Sequence, residues 1–94
     1  MAAGFEWDAI KNLINQARHG VSFEAATQAF NDPNRVIIRD TKHEKGEKRF
    51  FCLGLVAGIV MTVRFSFRRK QIRIFGAGYW RQGRKRYEQE NQIH

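Results

Sequence analysis

The sequence predicts an α+β fold with two N-terminal helices, a four-stranded antiparallel sheet and a C-terminal helix. Two observations carry this prediction. Apolar residues recur with a helical period in residues 9–30, and they follow a strand-like pattern rich in Phe, Val and Ile across residues 35–75. A length of 94 residues suits one domain, which we place over residues 1–94.

The N-terminal third predicts a helical hairpin. Asp8 is an N-cap for a helix over residues 9–18, and Gly20 suits its C-terminal end. Ser22 caps a second helix, which the Asn-Asp-Pro sequence at residues 31–33 ends. The first helix carries an apolar stripe with the spacing of an amphipathic helix, formed by Ile10, Leu13, Ile14 and Ala17.

The rest of the chain predicts strands over residues 35–40, 49–55, 59–67 and 71–75. In the third of these strands, large apolar residues at odd positions share one face, while Val60, Thr62, Arg64 and Ser66 share the other. We expect the helices to cover the sheet on one side only. The glycines at residues 76 and 78 are expected to end the sheet before a closing helix over residues 79–90.

Charge is distributed unevenly along the chain. The formal net charge is +8, and residues 48–87 contain eleven Lys or Arg and no carboxylate. Charges that serve only solubility are normally mixed in sign, so this stretch predicts a surface that binds phosphates. A solvated basic face without a ligand is the alternative.

The strand pair formed by residues 59–67 and 71–75 is the most informative segment. A turn centred between Arg68 and Arg69 places Arg64 opposite Arg73, and like charges that face each other destabilise a sheet. An external phosphate would neutralise them through charge-assisted hydrogen bonds. Arg68, Arg69 and Lys70 add three cations at the turn, although a solvated basic strand remains the alternative.

The closing helix places Trp80 and Tyr87 on one side, and basic residues, including Arg81, Arg84 and Lys85, occupy the rest. Aromatic side chains beside arginines suit stacking of bases above a phosphate track. The alternative is that Trp80 docks the helix on the sheet.

Several classes of protein are disfavoured. The single cysteine, Cys52, rules out an internal disulfide and suits a reducing cytoplasm. No signal peptide is expected, and the longest apolar run is too short to span a bilayer, so we predict a cytoplasmic protein. Scattered histidines and the lack of a glycine-rich phosphate loop predict no metal site and no cofactor.

Phosphodiester cleavage without a metal fits the remaining residues. Attack by a ribose 2′-hydroxyl needs cations at the phosphorane and groups that move protons, and it restricts the substrate to RNA. Arginines supply the cations. Tyr87, assisted by His19, would move protons if the surrounding cations lower the pKa of the phenol.

A family resemblance points the same way. Four short segments together resemble the N-terminal signature of the BrnT toxins. They are Phe-Glu-Trp-Asp at residues 5–8, His-Gly-Val at residues 19–21, Phe-Glu-Ala-Ala at residues 23–26, and Asp32-Pro33. The similarity continues through Asp40, His43, Arg49 and the Ile-Arg-Ile strand at residues 72–74 to an Arg-rich helix that ends in Tyr87-Glu88. It therefore covers nearly the whole chain.

This resemblance implies a RelE-like fold and a metal-independent ribonuclease of a type II toxin–antitoxin system. It also implies a BrnA-type antitoxin with a ribbon-helix-helix region, so that the toxin meets DNA only through the joint complex. By position, Arg68, Arg73 and Tyr87 match residues of the family site. The chain departs from the family at Gly78, where an arginine is common, and Arg81 is the candidate substitute.

Two other interpretations stay open. The first is a non-catalytic module whose basic face only binds nucleic acid or an acidic partner. The second, a peripheral membrane protein, is weaker, because the cations lie largely on a predicted sheet and not on one isolated amphipathic helix.

Overall fold

The computed structural model describes residues 4–92, so residues 1–3 and 93–94 of the predicted domain lie outside the described residues. The α+β class is confirmed, but the sheet has five strands and is mixed. The strands are β1 (Phe5–Glu6), β2 (Val36–Arg39), β3 (Arg49–Val56), β4 (Ile59–Arg68) and β5 (Gln71–Gly78). The helices are α1 (Ala9–His19), α2 (Phe23–Ala26) and α3 (Arg81–Glu90), with 3-10 turns at Thr27–Asn31 and Thr41–His43.

The strand order is β1-β5-β4-β3-β2. Strands β2 to β5 pair antiparallel as predicted, whereas β1 pairs parallel with β5 and places Glu6 beside Arg73. The sequence missed β1 because two residues are too few to show an alternating pattern.

The caps of α1 follow the prediction. The Asp8 carboxylate accepts hydrogen bonds from the backbone N–H groups of Ile10 and Lys11, and Gly20 ends the helix at φ 67°. The helix nevertheless turns its apolar stripe outward, and its buried residues are Asn12 and Asn15. An amphipathic helix usually buries such a stripe, so this orientation departs from the sequence pattern.

The second helix is confirmed but short. After four residues, α2 tightens into the 3-10 turn, whose backbone packs directly on β3. A Cβ atom at Gly54 would collide with the carbonyl group of Ala29, so only glycine allows this close approach.

One sheet face carries the main core. It packs the aromatic and aliphatic side chains of β3, β4 and β5 against α2 and the residues around it. Phe65 is 1% exposed and contacts the rings of Phe30, Phe50 and Phe67 at centroid distances of 5.0, 5.4 and 5.5 Å.

The opposite face is also covered in part, so the expectation of cover on one side only is wrong. Helix α3 packs Tyr87 on Leu53 and Val60. Gly83 permits this because its missing Cβ leaves room for the side chains of Thr62 and Leu53. Helix α3 begins at Arg81 and not at the predicted residue 79.

The glycines near the chain's end do not break the sheet as predicted. Strand β5 continues to Gly78 because a bulge absorbs Phe75, so that Phe65 pairs with Ile74 and Arg64 pairs with Gly76. Across residues 4–92, none of the helices is long and apolar enough to span a membrane.

Candidate functional site

A row of polar residues crosses the sheet on the face that α3 covers in part. Ser66 of β4 pairs with Arg49 of β3 on one side and with Arg73 of β5 on the other. Residues directly opposite each other in neighbouring strands point to the same face. Two arginines therefore flank one serine.

Two further arginines complete the group. Arg64 and Arg68 lie two residues before and after Ser66 in β4, so strand alternation places them on the same face. We call Arg49, Arg64, Arg68 and Arg73 the arginine cluster, with Ser66 at its centre.

The bulge residue Phe75 orders part of this cluster. The guanidinium carbon of Arg49 lies 4.5 Å from the centroid of the Phe75 ring, and that of Arg64 lies 5.4 Å away. Both distances suit cation–π contacts, which hold an arginine without consuming its hydrogen-bond donors. Gly76 leaves room for the Arg64 side chain, since a Cβ there would lie 3.3 Å from Arg64 Cδ.

The floor of the cluster contains polar atoms without partners. Ser66 is fully buried, and its Oγ has no hydrogen-bond partner among the described residues. The same holds for Arg49 Nε, and Thr62 Oγ1 also has no partner among the described residues, although it lies under Gly83 of α3 and outside the cluster. Buried polar groups are normally hydrogen-bonded, so such a concentration on one face suits the binding of an outside polar group.

One carboxylate reaches the cluster from a distant part of the sequence. Glu6 Oε2 lies 3.7 Å from Nη1 of Arg73, while the buried Oε1 of Glu6 has no partner among the described residues. The lack of carboxylates in residues 48–87 therefore does not extend to the folded surface. Arg73 pairs with this carboxylate, and the other three arginines of the cluster keep the surface strongly positive.

The register of β4 and β5 also differs from the prediction. The turn consists of Arg69 and Lys70, closed by the pair Arg68 and Gln71, so Arg64 faces Gly76 and not Arg73. Arg69 and Lys70 have φ values of 52° and 66°, which a tight hairpin of this kind demands. Such angles are sterically unfavourable for residues other than glycine. At this turn they are adopted by two exposed cations that lie beside the cluster.

Tyr87 does not lie on the basic surface. Its side chain lies on the sheet-facing side of α3 and is 2% exposed, and its hydroxyl donates a hydrogen bond of 2.6 Å to Asp32 Oδ2. Burial, followed by the hydrogen bond and charge of Asp32, raises the pKa of Tyr87 to about 12. The lowered pKa that proton transfer by Tyr87 required is therefore not found.

Asp32 has the opposite shift. Burial pushes its pKa up, but the hydrogen bonds from Tyr87 and from the backbone N–H groups of Leu55 and Asn34 outweigh burial and hold the pKa below its usual value. This carboxylate ties α3 to β3 and to the loop before β2.

His19 and Trp80 meet at the other end of β5. Their ring centroids are 5.2 Å apart, and Trp80 lies against Gly78, five residues along the strand from Arg73. At about 3.3 Å per residue, His19 is separated from Arg73 by most of the strand. A side chain at Gly78 would require the Trp80 ring to move.

The remaining predicted cations lie on α3. Arg81, Arg84 and Lys85 are all exposed, and Arg81 is the first residue of the helix. They extend the basic surface without joining the row through Ser66.

Sequence reasoning overlooked the roles of Arg49, Ser66 and Phe75. A usable signal existed for the first two, because Ala57-Gly58 is a two-residue turn and a hairpin about it pairs Arg49 with Ser66. No comparable signal indicated that Phe75 forms a bulge.

The possibility of a metal site was tested on the part of the chain that the structure describes. Within residues 4–92, no three His, Cys, Asp or Glu side chains cluster in a way that could hold a metal ion. Cys52 is fully buried, and burial raises the pKa of its thiol to about 12, as suits a packed strand residue. The chemistry this surface offers is the binding of an anion by guanidinium groups.

A comparison with known protein families gives a direct match. The family of the ribonuclease toxin BrnT of type II toxin–antitoxin systems matches residues 7–83, which include every residue of the arginine cluster. No curated protein matches the chain. The matched family implies an RNA substrate and an antitoxin partner. With the match covering most of its 94 residues, the chain belongs to the BrnT family of ribonuclease toxins.

Proposed function

We propose that this protein is a metal-independent endoribonuclease that cleaves RNA at the arginine cluster and so arrests translation and growth. The observation that carries the proposal is that four arginines share one sheet face with a buried serine, and two of them are its direct cross-strand neighbours. Family membership supplies the substrate class, and the cluster supplies a site for its phosphate.

The proposed reaction is attack of the ribose 2′-oxygen on the adjacent phosphorus. The P–O5′ bond breaks, one proton leaves the 2′-hydroxyl, and another reaches the departing 5′-oxygen. The products are a 2′,3′-cyclic phosphate and a 5′-hydroxyl. Negative charge accumulates on the phosphorane in the transition state, where preorganised guanidinium donors stabilise it more than they stabilise the substrate.

Different residues of the basic surface serve different steps. Arg68 and Arg73 bind the scissile phosphate, and Arg49 and Arg64, held over Phe75, add charge on its other side. The Ser66 hydroxyl donates to a phosphate oxygen. Cations around the cluster bind the neighbouring phosphates of the strand, and this outer group consists of Arg69, Lys70, Arg81, Arg84 and Lys85.

Proton transfer falls to Glu6 in this scheme. Its carboxylate lies beside Arg73, which orients the group through Oε2, while the buried Oε1 has no partner among the described residues. Tyr87 keeps its proton and positions α3, and His19 stays at the far end of β5.

The partner we propose is a BrnA-like ribbon-helix-helix antitoxin. The joint complex would bind its own promoter through the antitoxin, so the toxin would contact DNA only as part of that complex.

The direct test is inducible expression of the wild type beside the Arg68→Ala/Arg73→Ala variant, with growth and bulk mRNA followed over time. We expect arrest and RNA loss with the wild type only. A Lys42→Ala/Lys45→Ala variant removes the same charge from the loop before β3 and should behave like the wild type. Normal growth and intact RNA with the wild type would contradict the proposal.

Purified protein separates catalysis from binding. Cleavage of single-stranded RNA should persist in EDTA. The affinity for RNA should fall steeply with salt, with a slope of log K against log salt concentration of about −0.7 per phosphate contacted. In Glu6→Gln the rate of cleavage should fall, while RNA binding stays intact. Binding without cleavage would instead leave a nucleic-acid-binding module, and cleavage abolished by EDTA would overturn metal independence.

A further inference from the structure

The outer face of α1 is unusually apolar for an exposed surface. Ile10, Leu13 and Ile14 are 68%, 66% and 45% exposed, and together they form one continuous stripe at helical spacing. Asn12 and Asn15, on the opposite side of the helix, are each only 7% exposed. The helix therefore buries amides and presents aliphatic side chains.

Hydrogen bonds fix this orientation. The Asn15 side chain pairs with the backbone of Ala77 in β5 through two hydrogen bonds. Its Nδ2 donates to the Ala77 carbonyl at 2.9 Å, and its Oδ1 accepts from the Ala77 N–H at 3.2 Å. Asn15 also donates to the carbonyl of Val21, and Asn12 accepts from the N–H of Phe23 at 2.8 Å. Rotating α1 to bury its aliphatic stripe would break all of these bonds, so the stripe stays outside.

The charge around the stripe restricts what can cover it. Helix α1 contains no carboxylate, and its exposed Lys11 and Arg18 lie along one flank of the stripe. Two copies of the chain, each with a net charge of +8, would oppose these cations with further positive charge. An acidic amphipathic helix would satisfy both the stripe and its flank.

We propose that the α1 stripe, formed by Ile10, Leu13 and Ile14, binds an acidic amphipathic helix of the antitoxin. The identity of that partner rests on the proposed function, because a type II toxin is held in check by a second protein. The docked helix would carry apolar residues three and four apart, with carboxylates along the side that meets Lys11 and Arg18.

The docking face is separate from the arginine cluster. Helix α1 lies at the edge of β5 near Ala77, and the stripe points away from the sheet, whereas the cluster lies on the face that α3 covers in part. Antitoxin binding and RNA cleavage should therefore be separable by mutation.

The test uses the 94-residue chain and, as the probe, a BrnA-type ribbon-helix-helix antitoxin. Leu13→Glu should weaken that complex by at least a hundredfold, measured by calorimetry, and leave RNA cleavage by the purified toxin unchanged. In cells, co-expressed antitoxin should no longer rescue growth. Gln28→Glu, which adds the same charge at an exposed site of the 3-10 turn, is the matched control.

Two further variants secure the interpretation. Leu13→Ala keeps the helix and should weaken binding by about tenfold, with thermal unfolding confirming that the fold is intact. Lys11→Glu/Arg18→Glu should also weaken binding and flatten its dependence on salt.

Wild-type affinity in Leu13→Glu would overturn the inference. So would a free toxin that is dimeric by light scattering and becomes monomeric in Leu13→Glu, since a second copy would then occupy the stripe. Loss of antitoxin binding in a protein whose wild type does not cleave RNA would support this inference and contradict the proposed function.

Discussion

The two faces of the sheet are built from the same strands but serve different ends. On one face, Phe65 and its aromatic neighbours close a dry core against α2 and the 3-10 turn. On the other face, α3 covers the area around Leu53 and Val60. The part of this face around Ser66 is occupied by the arginine cluster. Phe65 and Ser66 are adjacent in sequence and belong to opposite faces.

The two faces therefore contribute differently to the free energy of folding. The closed face gains from burial of apolar area, whereas the half-open face retains buried donors without partners and arginines held close together. Such costs persist in a fold when another part of the structure supports them. Substitutions on the two faces should therefore change the free energy of unfolding by different amounts.

The largest loss should come from Phe65→Ala. Removing a ring that is 1% exposed leaves a cavity among three other phenylalanines, and such changes cost about 3–5 kcal/mol. We expect the free energy of unfolding, measured in urea, to fall by this amount. A loss below about 1 kcal/mol would mean that the aromatic cluster does not hold the closed face.

A smaller loss is expected from Tyr87→Phe, in the covered part of the second face. The substitution removes one donor from the buried Asp32 carboxylate and should cost about 1.5–3 kcal/mol at neutral pH. Since α3 stays attached through its apolar contacts, RNA binding should change little. Equal stability of the two proteins in urea would contradict the role assigned to this hydrogen bond.

The same pair predicts how stability depends on pH. The unfolded state loses the Tyr87 proton near its ordinary pKa of 10.0, and the folded state loses it near 12. The advantage of the wild type over Tyr87→Phe should therefore hold below pH 10 and shrink between pH 10 and 12. At the acid end, Asp32 stabilises the fold above its ordinary pKa of 3.8, and this contribution is lost as the pH falls further.

The smallest effect on stability, and of opposite sign, is expected from Ser66→Ala. Its hydroxyl is buried without a partner among the described residues, so replacement by a methyl group should raise stability by up to about 1 kcal/mol. A shift of this size raises Tm by about 4–8 °C in a domain of this length. RNA cleavage should fall about tenfold or more, and a variant that loses stability but keeps its activity would show that the hydroxyl is structural.

Some parts of the fold could be predicted from the sequence alone and others could not. The opposite faces of Phe65 and Ser66 in β4, the Asp8 and Ser22 caps and the Gly20 end of α1 are local features, and all were confirmed. The orientation of α1 was not predictable, because the open edge of β5 selects Asn15 over the aliphatic stripe and that edge forms only in the folded chain.

For the candidate site, the sequence located the basic segment but not its arrangement. Arg64 and Arg73 were identified, yet their pairing was wrong, because the turn at Arg69 and Lys70 and the bulge at Phe75 together shift the register. The carboxylate of Glu6 arrives from a strand more than sixty residues away in sequence, which no local pattern reveals.

The fold class, the uneven charge and the family could be predicted from the sequence alone, because they depend on composition, local periods and short motifs. Tertiary structure decided which residues meet: Ser66 between Arg49 and Arg73, Tyr87 buried on Asp32, and an aliphatic stripe left in solvent. Strand register, bulges and edge pairing are settled by competition between distant segments for the same hydrogen bonds and the same buried space, and that competition takes place only in three dimensions.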